Sequence, residues 1–150
     1  GQLKHVSHAV DLACGNGILG LVAKAKGICD NVAFCDESAM AVASASSNAA
    51  ALNPDNMPNF EFYQGDALLD YRGPQADLIL CNPPFHSNHT VEDYVGRRLL
   101  AQAANYLQPS GVLCMVANKH LPYLPTLKNG FSRVEKLAQN KKFNIWLAQK

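Results

Sequence analysis

The sequence has no C-x-x-C pair, no apolar run of membrane-spanning length, no internal repeat, no low-complexity block and almost no net charge. Each absence narrows the reading. Without paired cysteines the usual closed zinc sites are excluded, and five thiols (Cys14, Cys29, Cys35, Cys81, Cys114), odd in number and scattered through apolar runs, suit reduced core cysteines better than disulfides. Together with an N-terminus that does not read as a signal peptide, this points to the cytoplasm. The uncharged stretch between Glu37 and Asp55 is mostly Ala, Ser and Asn, too polar for a bilayer, so a soluble protein is expected. With no linker, 150 residues at 48% hydrophobic content are expected to form one domain around one core.

A net charge of +1 conceals a division. Residues 1–93 carry four basic against eleven acidic residues, a net of −7, and residues 94–150 carry nine against one, a net of +8. An acidic half suits a cationic small molecule; a basic half suits a polyanion such as nucleic acid. Scatter over a solvated surface is the plainer alternative.

Short apolar runs alternate with helix-like stretches, the pattern of an α/β fold. Strands are expected at His8–Ala13, Asn31–Cys35, Phe60–Tyr63, Ala76–Cys81, Gly111–Ala117, Arg133–Ala138 and Lys142–Ala148, with helices in most gaps. The helix after the second strand is the clearest: Ser38 can cap it, Ala fills it, and Asn53-Pro54 stops it. Such a mostly parallel sheet binds ligands beyond the C-terminal ends of its strands.

The segment Asp11-Leu12-Ala13-Cys14-Gly15-Asn16-Gly17-Ile18-Leu19-Gly20 joins the first strand to the first helix. Its glycines permit a sharp turn and a close approach of backbone to ligand. Gly15, Gly17 and Gly20 spell G-x-G-x-x-G, and with Asp36 ending the second strand they match a dinucleotide site. Asp11 argues otherwise, because a carboxylate there repels a pyrophosphate. It attracts instead the ammonium or sulfonium of S-adenosylmethionine, which has no phosphate. A helix cap or loop hydrogen bond is the alternative use of Asp11. Asp36 can accept from a ribose diol, and Asp66, in Gly65-Asp66-Ala67, from an adenine amino group, although Gly-Asp is also a common turn.

Asn82-Pro83-Pro84-Phe85 follows the apolar run Ala76–Cys81. Two prolines hold the backbone extended and remove donors, leaving carbonyls. The Asn82 side-chain oxygen and Pro83 carbonyl can then accept from an –NH₂ group and aim its lone pair, while Phe85 stacks on a planar base for about 1–3 kcal/mol. A rigid turn with Phe85 in the core is the alternative. Methyl transfer from a sulfonium is an in-line displacement needing positioning but no metal and no dedicated base. Cys81, His86 and His89 are too loosely spaced for a metal site, so no metal is expected, and His86 is read as meeting a base edge or phosphate. His5, His8 and His120 are read as surface or capping residues.

The glycine loop, Phe34-Cys35-Asp36-Glu37-Ser38-Ala39-Met40-Ala41-Val42, Asn82-Pro83-Pro84-Phe85-His86 and Val116-Ala117-Asn118-Lys119-His120-Leu121 together resemble the ribosomal RNA guanine-N2 methyltransferases, over nearly the whole chain from Val10 onward. The stretch from Asp36 to Val42 favours the large-subunit branch. The resemblance implies a Rossmann-like class I S-adenosylmethionine methyltransferase with a seven-stranded, mostly parallel sheet and helices on both faces. It also implies S-adenosylmethionine as donor and a guanine amino group of 23S ribosomal RNA as acceptor. Small-subunit (16S) guanine-N2, adenine-N6 and protein-glutamine methylation remain alternatives, as does an RNA-binding module without catalysis. On this likeness Asp11, Ala13, Gly15, Gly17, Asp36, Glu37, Asp66, Ala67 and Asn82 line the cofactor, and Asn82, Pro83, Pro84 and Phe85 form the catalytic segment. Phe85, His86, Arg97, Arg98, Lys119 and Lys142 face RNA, with Lys128, Arg133 and Lys141 on the same basic surface. Ala13 stands where many relatives have glycine. Relatives also carry a preceding N-terminal domain, so the 150 residues are expected to be a C-terminal fragment of a two-domain protein.

Overall fold

The computed structural model describes residues 4–66, 68, 71–82, 89–119 and 123–150, the side chains of 89–96 excepted. All seven expected strands are present: β1 (Val6–Leu12), β2 (Cys29–Asp36), β3 (Phe60–Gln64), β4 (Ala76–Cys81), β5 (Leu107–Asn118), β6 (Arg133–Gln139) and β7 (Phe143–Gln149). They form one sheet in the order β3-β2-β1-β4-β5-β7-β6, parallel except for β7, which runs antiparallel to both neighbours. Helices α1 (Ile18–Ala25), α2 (Ala39–Leu52), α3 (His89–Tyr106) and α4 (Leu124–Gly130) connect them. Strand order reverses direction at β1 and β4, which places a crevice above their C-terminal ends.

The alternation of side chains along each strand builds two cores. Val10, Leu12, Ile79, Leu113 and Met115 point to the face that includes Leu100, Ala103 and Leu127 of α3 and α4. Ala9, Leu78, Leu80 and Phe34 point to the other, with Leu21 of α1 and Ala45 and Ala49 of α2. Phe34 stacks on Phe62 at 5.2 Å and meets Phe60 edge-on at 5.6 Å. All five cysteines are buried and unpaired. Burial pushes Cys29 and Cys114 up to about 11 and Cys35 to about 12, which leaves them as protonated, unreactive core residues.

Helix α2 starts where Ser38 Oγ accepts from the Ala41 N–H at 3.2 Å, and it gives way to a 3₁₀ turn at Pro54. Strand β5 is longer than the expected Gly111–Ala117. Gln108-Pro109-Ser110 reads as a turn, yet its backbone stays extended beside β4. Between the pairs Ala76↔Leu107 and Leu78↔Val112, four residues of β5 face Asp77 alone, and this bulge accommodates Pro109 without a ladder donor.

Candidate functional site

The pairings Leu12↔Cys35, Leu12↔Cys81 and Asp36↔Gln64 bring the ends of four strands to one edge of the sheet. Ala13, Asp36, Gly65 and Asn82 each lie there or one residue beyond. The glycine loop crosses this edge through three left-handed residues, Ala13 (φ 55°), Gly15 (φ 54°) and Gly17 (φ 83°). A side chain on Gly15 would meet nothing within 4 Å, so the backbone faces open space there, as close approach by a ligand requires. Gly17 and Gly20 serve packing instead. A Cβ on Gly17 would lie 3.0 Å from Ala45 Cβ, and one on Gly20 would lie 2.6 Å from Phe34 Cε1.

Several of the loop's N–H groups are already engaged. Asp11 Oδ2 accepts from Gly20 N at 2.9 Å, and Asp36 Oδ2 accepts from Gly15 N at 3.0 Å while its Oδ1 accepts from Ser38 N at 2.9 Å. Gly17 N donates to Cys14 O at 2.8 Å and Ile18 N to Asn16 Oδ1 at 3.3 Å. A dinucleotide's pyrophosphate needs free N–H groups at this helix start. Here carboxyl groups hold two of them, and the Asp36 carboxylate beside Gly15 N disfavours a phosphate. A cationic ligand without phosphate fits this charge.

Asp11 is only 1% exposed. Burial raises its carboxyl to about 7, with the Asp36 charge adding to the rise and the Gly20 hydrogen bond opposing it. It thus holds the start of α1 from beneath the loop, the cap alternative open in the sequence, and any influence on a ligand is through its charge. Asp36 is half-buried, and each of its oxygens, with one backbone bond made, retains a lone pair for a ribose hydroxyl. Glu37 is exposed, with its carbonyl accepting from Gln64 Nε2 at 3.4 Å. Asn82 is exposed next to the loop.

Two residues assigned to different ligands meet each other: Arg98 Nη2 donates to Asp66 Oδ2 in an ion pair, so Arg98 does not stand as a free RNA contact. Nothing in the local sequence signals this pairing across 32 residues. Arg97 is exposed on α3. Lys119 and Lys142, also exposed, are joined by a 2.9 Å bond from Lys119 N to Lys142 O at the same sheet edge as Asn82. Arg133 requires a correction. It begins β6 at the opposite edge and lines a cleft of about 720 Å³ with Lys4, Val6, Asp77 and Ser110, so it does not share a surface with Lys119 and Lys142. The connection from α4 to β6 runs back across the sheet, which linear charge counting does not register.

Ala67, Pro83, Pro84, Phe85, His86 and His120 lie outside the described residues, as does the side chain of His89. Among the described residues no three His, Cys, Asp or Glu side chains converge as metal ligands. His5 is exposed and binds Gly27 O and Asp30, a surface capping role.

A family model for the methyltransferase small domain matches residues 2–147. The chain belongs to that family. This methyltransferase small domain is 42% identical over 139 residues to ribosomal RNA large subunit methyltransferase G of Alcanivorax borkumensis, covering 93% of the chain and 35% of the relative. It is 38% identical over 135 residues to the protein of that name from Yersinia pestis, covering 90% of the chain and 34% of the relative. It therefore spans about a third of the length of these relatives. Among solved structures, the T. thermophilus 16S rRNA N2 G1207 methyltransferase in complex with AdoMet and guanosine superimposes with a TM-score of 0.81 at 24% identity, over 98% of the chain and 38% of that protein. A methyltransferase from Pyrococcus furiosus gives 0.77 at 18% identity, over 99% and 77%. These likenesses establish the class I methyltransferase fold, as the strand order does.

Proposed function

We propose that the chain is the S-adenosylmethionine-binding catalytic domain of a methyltransferase acting on the N2 amine of a guanine in 23S ribosomal RNA. The observation that carries the cofactor reading is the capping of Gly15 N and Gly20 N by the carboxylates of Asp36 and Asp11, which favours a cation over a pyrophosphate. The ribosomal RNA target rests on the relatives at 38–42% identity. As these are about three times as long, we assign the choice of nucleotide to the part of such proteins that lies outside the matched third. A cytoplasmic location follows from this role. Among the described residues no helix is long and apolar enough to cross a membrane.

Bound at this edge, S-adenosylmethionine supplies an electrophilic methyl on a sulfonium. The chain's part is placement. Gly15 and Ala13 give the backbone surface, Asp36 accepts from the ribose diol, and Asp66 accepts from the adenine amino group. Glu37, Gly17 and Ala67 complete the surround. Asn82, with the Pro83 carbonyl, accepts hydrogen bonds from the guanine amine and directs its lone pair. Phe85 stacks on the base, and His86, Arg97, Lys119 and Lys142 meet the RNA. The amine nitrogen becomes acidic once methylated and releases its proton to water, so no side chain is needed as base.

Calorimetric titration of the chain with S-adenosylmethionine and with a nicotinamide dinucleotide tests the cofactor reading. Saturable binding of the first alone supports it, and binding of the dinucleotide alone overturns it. Single-turnover methylation of 23S against 16S ribosomal RNA by the full-length protein tests the target, and product analysis for N2-methylguanine tests the acceptor atom.

A further inference from the structure

Asp66 follows the end of β3, where its neighbour Gly65 donates to Asp36 O at 2.9 Å, so one backbone hydrogen bond ties the strand ends that carry the two acids. Arg98 comes from the other side. It precedes Leu99 and Leu100, which are buried at 8% and 1% exposure and seat α3 on the sheet. The Arg98 and Asp66 side chains are 42% and 48% exposed, and an ion pair this open contributes little to folding. Its consequence lies in where it holds the carboxylate. The bond engages Oδ2, and a carboxylate held through one oxygen can still accept through the other.

We infer that Arg98 is a positioning residue for adenine recognition, holding Asp66 in the orientation that accepts from a 6-amino group. This rests on the cofactor reading above. A carboxylate has no proton to give, so it pairs with a 6-amino donor and repels a 6-oxo acceptor. Left unpaired on a solvated turn, the same carboxylate samples several rotamers, and the discrimination weakens.

The test titrates the chain with S-adenosylhomocysteine and with S-inosylhomocysteine, which differ in the 6-amino against 6-oxo group and the accompanying N1 proton, and reads the ratio of the two dissociation constants. The wild type is expected to prefer the adenosyl compound at least ~10-fold, since a site built around a hydrogen bond rejects the analogue that cannot make it. Arg98→Gln should lower the ratio at least ~3-fold with its melting temperature unchanged, Arg98→Lys should recover part of the loss by donating to the same oxygen, and Asp66→Ala should bring the ratio near one. If Asp66→Ala leaves the ratio intact, the adenine reading of Asp66 fails and the inference with it. If Asp66→Ala abolishes the preference and Arg98→Gln does not change it, or weakens both ligands equally, the positioning role is refuted while the cofactor reading stands. Failure of wild type to bind S-adenosylhomocysteine overturns both.

Discussion

Asp11 Oδ2 and the Gly20 N–H, 2.9 Å apart, lock the end of β1 to the first turn of α1 beneath the glycine loop. The carboxylate is held in the core, where its charged form is disfavoured, and its group is raised from 3.8 to about 7. The native chain therefore binds a proton on Asp11 between those values that the unfolded chain does not. By linkage the contribution is fully present below about 3.8 and is lost as pH rises through about 7. In urea unfolding between pH 4.5 and 8, Asp11→Asn, which keeps an acceptor for Gly20 N, should lack this falling component. The difference between wild type and variant then changes by about 3 kcal/mol across that window, and a pH-independent difference would show that Asp11 does not titrate in this range.

Gly20 is required by packing. Its added Cβ would lie 2.6 Å from Phe34 Cε1 and 2.9 Å from Val32 Cγ1, on side chains that are 0% and 2% exposed. Gly20→Ala should destabilise the chain by about 1–3 kcal/mol in urea unfolding, despite the better helix propensity of alanine.

Ala13 behaves oppositely. At φ 55° it is the non-glycine residue with left-handed backbone among the described residues. That conformation costs about 1–2 kcal/mol for a residue with a Cβ, against about 0.5–1 kcal/mol of extra unfolded-state entropy for glycine. Ala13→Gly should stabilise the chain by about 0.5–1 kcal/mol, read as a raised urea midpoint at unchanged slope.

Lys119 and Lys142 share the edge with Asn82, whereas Arg133 lies at the opposite edge. Replacing both lysines by alanine should weaken binding of a ribosomal RNA fragment and reduce the magnitude of the log K against log salt slope by about 1.5–2. Arg133→Ala should leave both unchanged, and an equal effect of the two would mean that RNA contacts both ends of the sheet.

Much of this was present in local sequence. The apolar runs His8–Ala13 and Ala76–Cys81, the Ser38 cap and the Pro54 stop are short-range signals, and they predicted the strands and α2 within a few residues because each depends on neighbours in the chain. The glycine loop and the three acids at successive strand ends were equally visible, since a parallel sheet places such positions together. The start of β5 was not visible: Gln108-Pro109-Ser110 has turn composition, yet its backbone stays extended in a bulge opposite Asp77.

The amino-acid order by itself determined the α/β class, the seven strands and which residues reach the sheet's functional edge. Only the tertiary structure decided what those residues do there: that Asp11 faces Gly20 from within the core, that Asp66 meets Arg98, and that Arg133 leaves the basic edge. The reason is physical. Strand and helix formation follow from contacts within a few residues, whereas the partner of a carboxylate 9 or 32 residues away depends on strand register and helix seating, which exist only once the sheet has closed over its two cores.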